Sequence, residues 1–139
     1  MATKETHAVY RTGLSRARGL GSAKDGVHRF MAERATAIAL VPLSLWAVYA
    51  ALQVAPAGVG YEGAVLLLQS PVNAVMAILL IAVSCAHMEM GVRVIVEDYI
   101  HDHGQKIAAL LVNAGLCWLA GALGVFSILK VALSGAGAF

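Results

Sequence analysis

Three stretches of the chain contain no Asp, Glu, Lys or Arg: residues 35–61, 63–86 and 107–129. Each is dense in Ala, Val, Leu and Ile, and each exceeds the roughly 20 apolar residues that a bilayer crossing needs. Inside hydrocarbon the backbone must satisfy its own hydrogen bonds, so the pattern predicts three transmembrane helices, at approximately 30–54, 68–97 and 105–133. Pro42, early in the first, is a candidate kink, whereas Pro71 stands near the start of the second, where proline is tolerated. The expected fold class is all-α: a three-helix membrane domain over residues 27–139, preceded by an arm over 1–26.

Composition supports a bilayer as the solvent. Of 139 residues, 60% are of the hydrophobic class and only 13% are charged, and the mean hydropathy is +0.77. A soluble domain carries about 25% charged residues, and a chain this short could not hide so much apolar surface in its own core. Two cysteines cannot by themselves hold an iron–sulfur cluster, which takes about four protein ligands, or build a disulfide scaffold. Cys85 and Cys117 fall within spans and read as small packing residues. No Gly-rich phosphate loop follows a strand pattern, and a net charge of +2 gives no case for nucleic acid.

Charge fixes an expected orientation. Lys4, Arg11, Arg16, Arg18, Lys24, Arg29 and Arg34 precede the first span, Arg93 and Lys106 lie around the second connection, and Lys130 is alone at the far end. The positive-inside rule then puts the N-terminus in the cytoplasm and the C-terminus in the periplasm of a bacterial inner membrane. In a mitochondrion the matrix would replace the cytoplasm. The arm is a poor match to a secretory signal, being too extended and followed by too long an apolar run. In the third span Asn113, Ala114, Gly115, Ala120, Gly121 and Gly124 form a series of small or polar positions, which lets helix backbones approach closely and points to partner helices.

The second helix carries the polar residues that a membrane disfavours. Ionisable groups within a span are rare and usually functional. Arg93 lies six positions after His87, about 9 Å along a helix, so His87 falls inside the hydrocarbon if Arg93 marks the interface. Eleven steps of about 100° bring Asp98 to within about 20° of His87. Gly91 shares that face and leaves a side-chain-sized gap beside the imidazole, room for a flat macrocycle. Glu89 lies about 200° away and faces another helix or snorkels. A neutral imidazole is a good transition-metal ligand. From the residues alone, haem ligation by His87, a hydrogen-bonded packing role and a proton relay all remain open. Asp98-Tyr99 pairs a phenol, suited to a quinone's carbonyl and ring, with a carboxylate that can orient it or pass protons. Interfacial tyrosines and helix-end aspartates are also ordinary in membranes. His101-Asp102-His103 reads as a solvated loop, since structural zinc wants four ligands.

The run from His87 to Tyr99, with Gly91 four positions and Asp98-Tyr99 eleven and twelve positions after the histidine, resembles the second helix of the small hydrophobic membrane anchor of succinate dehydrogenase, also called the cytochrome b small subunit. The block from Gly26 to Ile38 is similar to that family's entry into its first helix. The resemblance spans roughly residues 26 to 130. It implies half of a heterodimeric membrane-anchor bundle in a four-subunit complex with a second membrane anchor, an iron–sulfur subunit and a flavoprotein. FAD and the clusters would sit in those partners, and succinate would not touch this chain. His87 would be an axial ligand of haem b, opposite a histidine from the other anchor, with His28 and Arg34 near the propionates. Tyr99 would hydrogen-bond ubiquinone, and Asp98 would support that site and its protons. The rivals are a haem-free structural anchor, a small proton channel or transporter using Glu89 and His87, and the same couple run toward fumarate reduction.

Overall fold

The structure is a computed structural model that describes residues 25–55 and 60–134, with Thr12 and Leu14 before them. The arm expected over 1–26 therefore lies almost wholly outside the described residues. Four helices follow one another: α1 (Asp25–Val54), α2 (Gly60–Gln69), α3 (Pro71–Tyr99) and α4 (His103–Ser134). Among them α1, α3 and α4 are long and apolar enough to cross a membrane. The fold is all-helical among the described residues, with three candidate spans, as the charge-free stretches predict.

Two boundaries depart from the sequence reading, each for a local reason. The apolar run before the second span is broken at Ser70, which is extended at φ −69° and ψ 125°. Pro71 disfavours helical geometry at the residue before it and is itself at home in the first turn of a helix. Residues 60–69 thus form the separate helix α2, where the sequence suggests a loop. It begins at Gly60, whose φ of +39° suits glycine. At the other end α3 continues to Tyr99, so the connection to α4 is only residues 100–102, and Arg93, Glu97, Asp98 and Tyr99 all stand on helix.

The short connection is held by caps. The Asp102 carboxylate accepts from the Gln105 backbone N–H at 2.8 Å, which satisfies an orphan donor of the first turn of α4. Lys106 Nζ donates to the Glu97 carbonyl at 3.0 Å, placing a cation at the negative end of the α3 dipole.

Helix α3 is the middle of the molecule. It packs most extensively on α4 and next on α1, α1 and α4 do not form a packed pair, and α2 touches all three. Small residues set the α3–α4 distance. A Cβ on Gly124 would lie 3.0 Å from Ile81 Cδ1, and one on Gly121 3.4 Å from Cys85 Sγ. Part of the small-residue series in the third span is thus used within the chain, while Gly115 has nothing within 4 Å of its Cβ position and Ala120 is exposed. Cys117 is buried, and its thiol donates to Asn113 Oδ1 at 3.6 Å. The other buried residues among those described are Leu43, Ala50, Ala74, Val96 and Ile128, and none is polar.

Candidate functional site

His87 lies on the side of α3 that meets α1. Its Nδ1 is 3.0 Å from the hydroxyl oxygen of Thr36. That hydroxyl also lies 3.0 Å from the carbonyls of Ala32 and Glu33 on its own helix. The arrangement follows from local geometry: a threonine within a helix readily donates back to the preceding turn, which leaves its lone pairs pointing outward. His87 is half-buried. No hydrogen bond reaches its Nε2 among the described residues. One turn on, a Cβ at Gly91 would meet nothing within 4 Å.

The remaining site residues are more dispersed. Asp98 and Tyr99 stand at the end of α3, both exposed, Tyr99 by 79%. No hydrogen bond or ion pair joins them to each other or to His87 among the described residues. His28 and Arg34 are exposed on α1. The Arg34 guanidinium lies 5.2 Å from the ring centre of Phe30, its i,i+4 neighbour one turn earlier on the same helix. The ion pair linking α1 to the end of α3 is instead Arg29 with Glu97, at 3.2 Å. It is well exposed, so it is worth little in stability, but it ties the first helix to the residue just before Asp98.

Glu89 faces α4, one of the two alternatives its helical phase allowed. Its carboxylate pairs with Arg93 one turn on, where Arg93 Nε donates at 3.1 Å. Its backbone carbonyl accepts from Asn113 Nδ2 of α4 at 3.0 Å. Glu89 also lines an apolar cleft of about 670 Å³ between α3 and α4, with Cys85, Met90, Trp118 and Phe126. His87 is not among the residues of that cleft, so the two ionisable groups look out on different sides of α3.

Comparison with known proteins bears on what this set of residues belongs to. The sequence profile of the succinate dehydrogenase/fumarate reductase transmembrane subunit matches residues 8–123. The chain belongs to that family. It is accordingly a membrane anchor subunit of an enzyme complex. The succinate dehydrogenase hydrophobic membrane anchor subunit of Rickettsia bellii is 34% identical over 91 residues, covering 66% of this chain and 71% of that protein. The protein of the same name from Rickettsia conorii is 28% identical over 110 residues, covering 78% of this chain and 85% of its own length. No solved structure matches.

Four features of the succinate dehydrogenase-type anchor were not singled out by sequence reasoning: Thr36 as the partner of His87, Asn113 as the partner of the Glu89 carbonyl, Asp102 as the cap of α4, and the Arg29–Glu97 pair. Only Asp102 had a local signal, an Asp preceding a helical run by one position. The others join residues on different helices.

Proposed function

We propose that the chain is the small anchor of a succinate:quinone oxidoreductase, providing one axial ligand to haem b and one wall of a ubiquinone-reduction site. The observation that carries this reading is the state of His87 within the candidate span Pro71–Tyr99. Its Nδ1 faces a hydroxyl, its Nε2 takes no hydrogen bond among the described residues, and the neighbouring Gly91 leaves space for a planar group. These residues suit an axial imidazole, whose non-ligating nitrogen is generally hydrogen-bonded. When bound, haem b supplies a one-electron redox centre within the anchor. His87 would hold the haem iron through Nε2, with a second anchor subunit completing the site. Arg34 and His28, both exposed on α1, would offer a positive charge and a donor to the propionates.

Tyr99 and Asp98 act on ubiquinone near the cytoplasmic surface, about 16 Å along α3 from His87. The Tyr99 phenol donates to a quinone carbonyl oxygen, orienting and polarising it. The Asp98 carboxylate, open to water, orients the phenol or returns protons to it. Reduction of ubiquinone to the quinol takes two electrons and two protons. The electrons come from succinate oxidised in the flavoprotein partner and relayed by the iron–sulfur partner, while Asp98 and Tyr99 serve the protons. The exposure of both residues in this chain fits a pocket completed by those partners. With seven of its Lys and Arg in or beside the arm, the chain is oriented with its N-terminus in the bacterial cytoplasm.

The Thr36–His87 bond would also suit a packing histidine in a haem-free anchor, and the absorption of the native complex separates the two. A tag on this chain should co-purify a second anchor, an iron–sulfur protein and a flavoprotein, with b-type haem and succinate-dependent ubiquinone reduction. Recovery of the chain alone, or ion flux from it alone in liposomes, would contradict the proposal.

A further inference from the structure

Thr36 has no part in the ligand and quinone assignments, yet it makes the one hydrogen bond to the His87 side chain among the described residues. Resting on the haem reading above, we propose that Thr36 is a positioning residue: it accepts the Nδ1 proton of His87, fixing the tautomer in which Nε2 presents its lone pair to iron, and so tunes that nitrogen's basicity.

The hydroxyl carries a single proton, and two carbonyls of its own helix, those of Ala32 and Glu33, stand ready to receive it at 3.0 Å each. Its remaining capacity toward His87 is as an acceptor, so the imidazole donates from Nδ1. A neutral imidazole that donates from Nδ1 keeps the lone pair on Nε2. Thr36 is well suited to hold that direction, because it is β-branched and its χ1 has few allowed values in a helix. The bond joins α1 to α3 across 51 positions of sequence and is partly buried, in surroundings where a hydrogen bond is electrostatically stronger than in water. An acceptor on Nδ1–H pushes electron density toward Nε2 and raises the basicity of the ligand, which favours ferric over ferrous iron.

The test compares Thr36→Val and Thr36→Ser in the assembled complex, with His87→Ala as the control on the underlying reading. Valine keeps the shape and removes the acceptor. Thr36→Val should weaken haem retention by about 10–100-fold, the usual cost of losing such an outer partner. It should also lower the preference for ferric iron by about tenfold, read as a midpoint potential raised by about 59 mV in a one-electron titration. Thr36→Ser should return both to the parental values. A Thr36→Val complex with parental potential and haem retention overturns the role of Thr36, provided His87→Ala has abolished the low-spin b-type signal. An unaltered low-spin b-type signal in His87→Ala overturns the haem reading itself. Should Thr36→Val fail to assemble, pulsed EPR of the parental complex labelled with 15N-histidine decides. The proposal requires an exchangeable proton on the remote nitrogen of His87, and its absence contradicts it.

Discussion

His87 is half-buried on a helix that crosses the membrane, where an ionisable side chain is costly unless it has a partner or a task. The helical phase was enough to place Gly91 and Asp98 on its face, because positions along one helix are related by a fixed rotation. Phase says nothing about the residue across the interface, so Thr36 came only with the packing of α1 on α3. The same limit hid Asn113 beneath Glu89. For the proposed quinone site the decisive atom is the Tyr99 hydroxyl. Tyr99→Phe keeps the ring and loses the donor, and a lost donor to a developing oxyanion costs about 10²–10³ in rate. We expect succinate-dependent ubiquinone reduction to fall by at least tenfold relative to the reduction of a water-soluble acceptor taking electrons upstream. Equal rates toward ubiquinone in the two proteins would remove Tyr99 from the site.

Among the elements, the three long helices were legible because charge-free runs of this length have few other uses. Helix α2 was not, since its residues continue the hydrophobic character of the second span and only Ser70-Pro71 divides them. Close approach of α3 and α4 rests on Gly124 against Ile81, where an added Cβ would come within 3.0 Å. Gly124→Val should destabilise the anchor by about 1–3 kcal/mol, the usual cost of overpacking, and Ile81→Ala in the same chain should recover part of that loss. Thermal unfolding of the purified complex measures both, and additive effects of the two changes would show that the residues do not oppose each other. At the start of α4, Asp102→Ala removes a cap worth about 0.5–2 kcal/mol. Hydrogen exchange in the first turn of α4 should accelerate in that variant and stay near parental in Asp102→Asn.

For the molecule as a whole, the six buried residues among those described make a thin core, while Leu45, Leu66, Leu111, Trp118 and Phe126 are all more than half exposed. Lipid tails and partner helices are the surroundings such a surface needs. Composition announced this directly, since a chain that is 60% hydrophobic has nowhere to put its apolar side chains in water. The identity of the surrounding helices was not legible, because association between apolar helices depends on shape more than on a pattern of residue types. The exposed Tyr99 stands on that uncovered surface. The measurement that bears most directly on this is the low-temperature reduced-minus-oxidised spectrum of the complex carrying His87→Ala, set beside the parental complex at equal flavin content. A haem held by His87 gives a b-type band in the parental complex that is lost, or converted to a high-spin form, in the variant. An unaltered low-spin band in the variant would mean that the iron is held elsewhere.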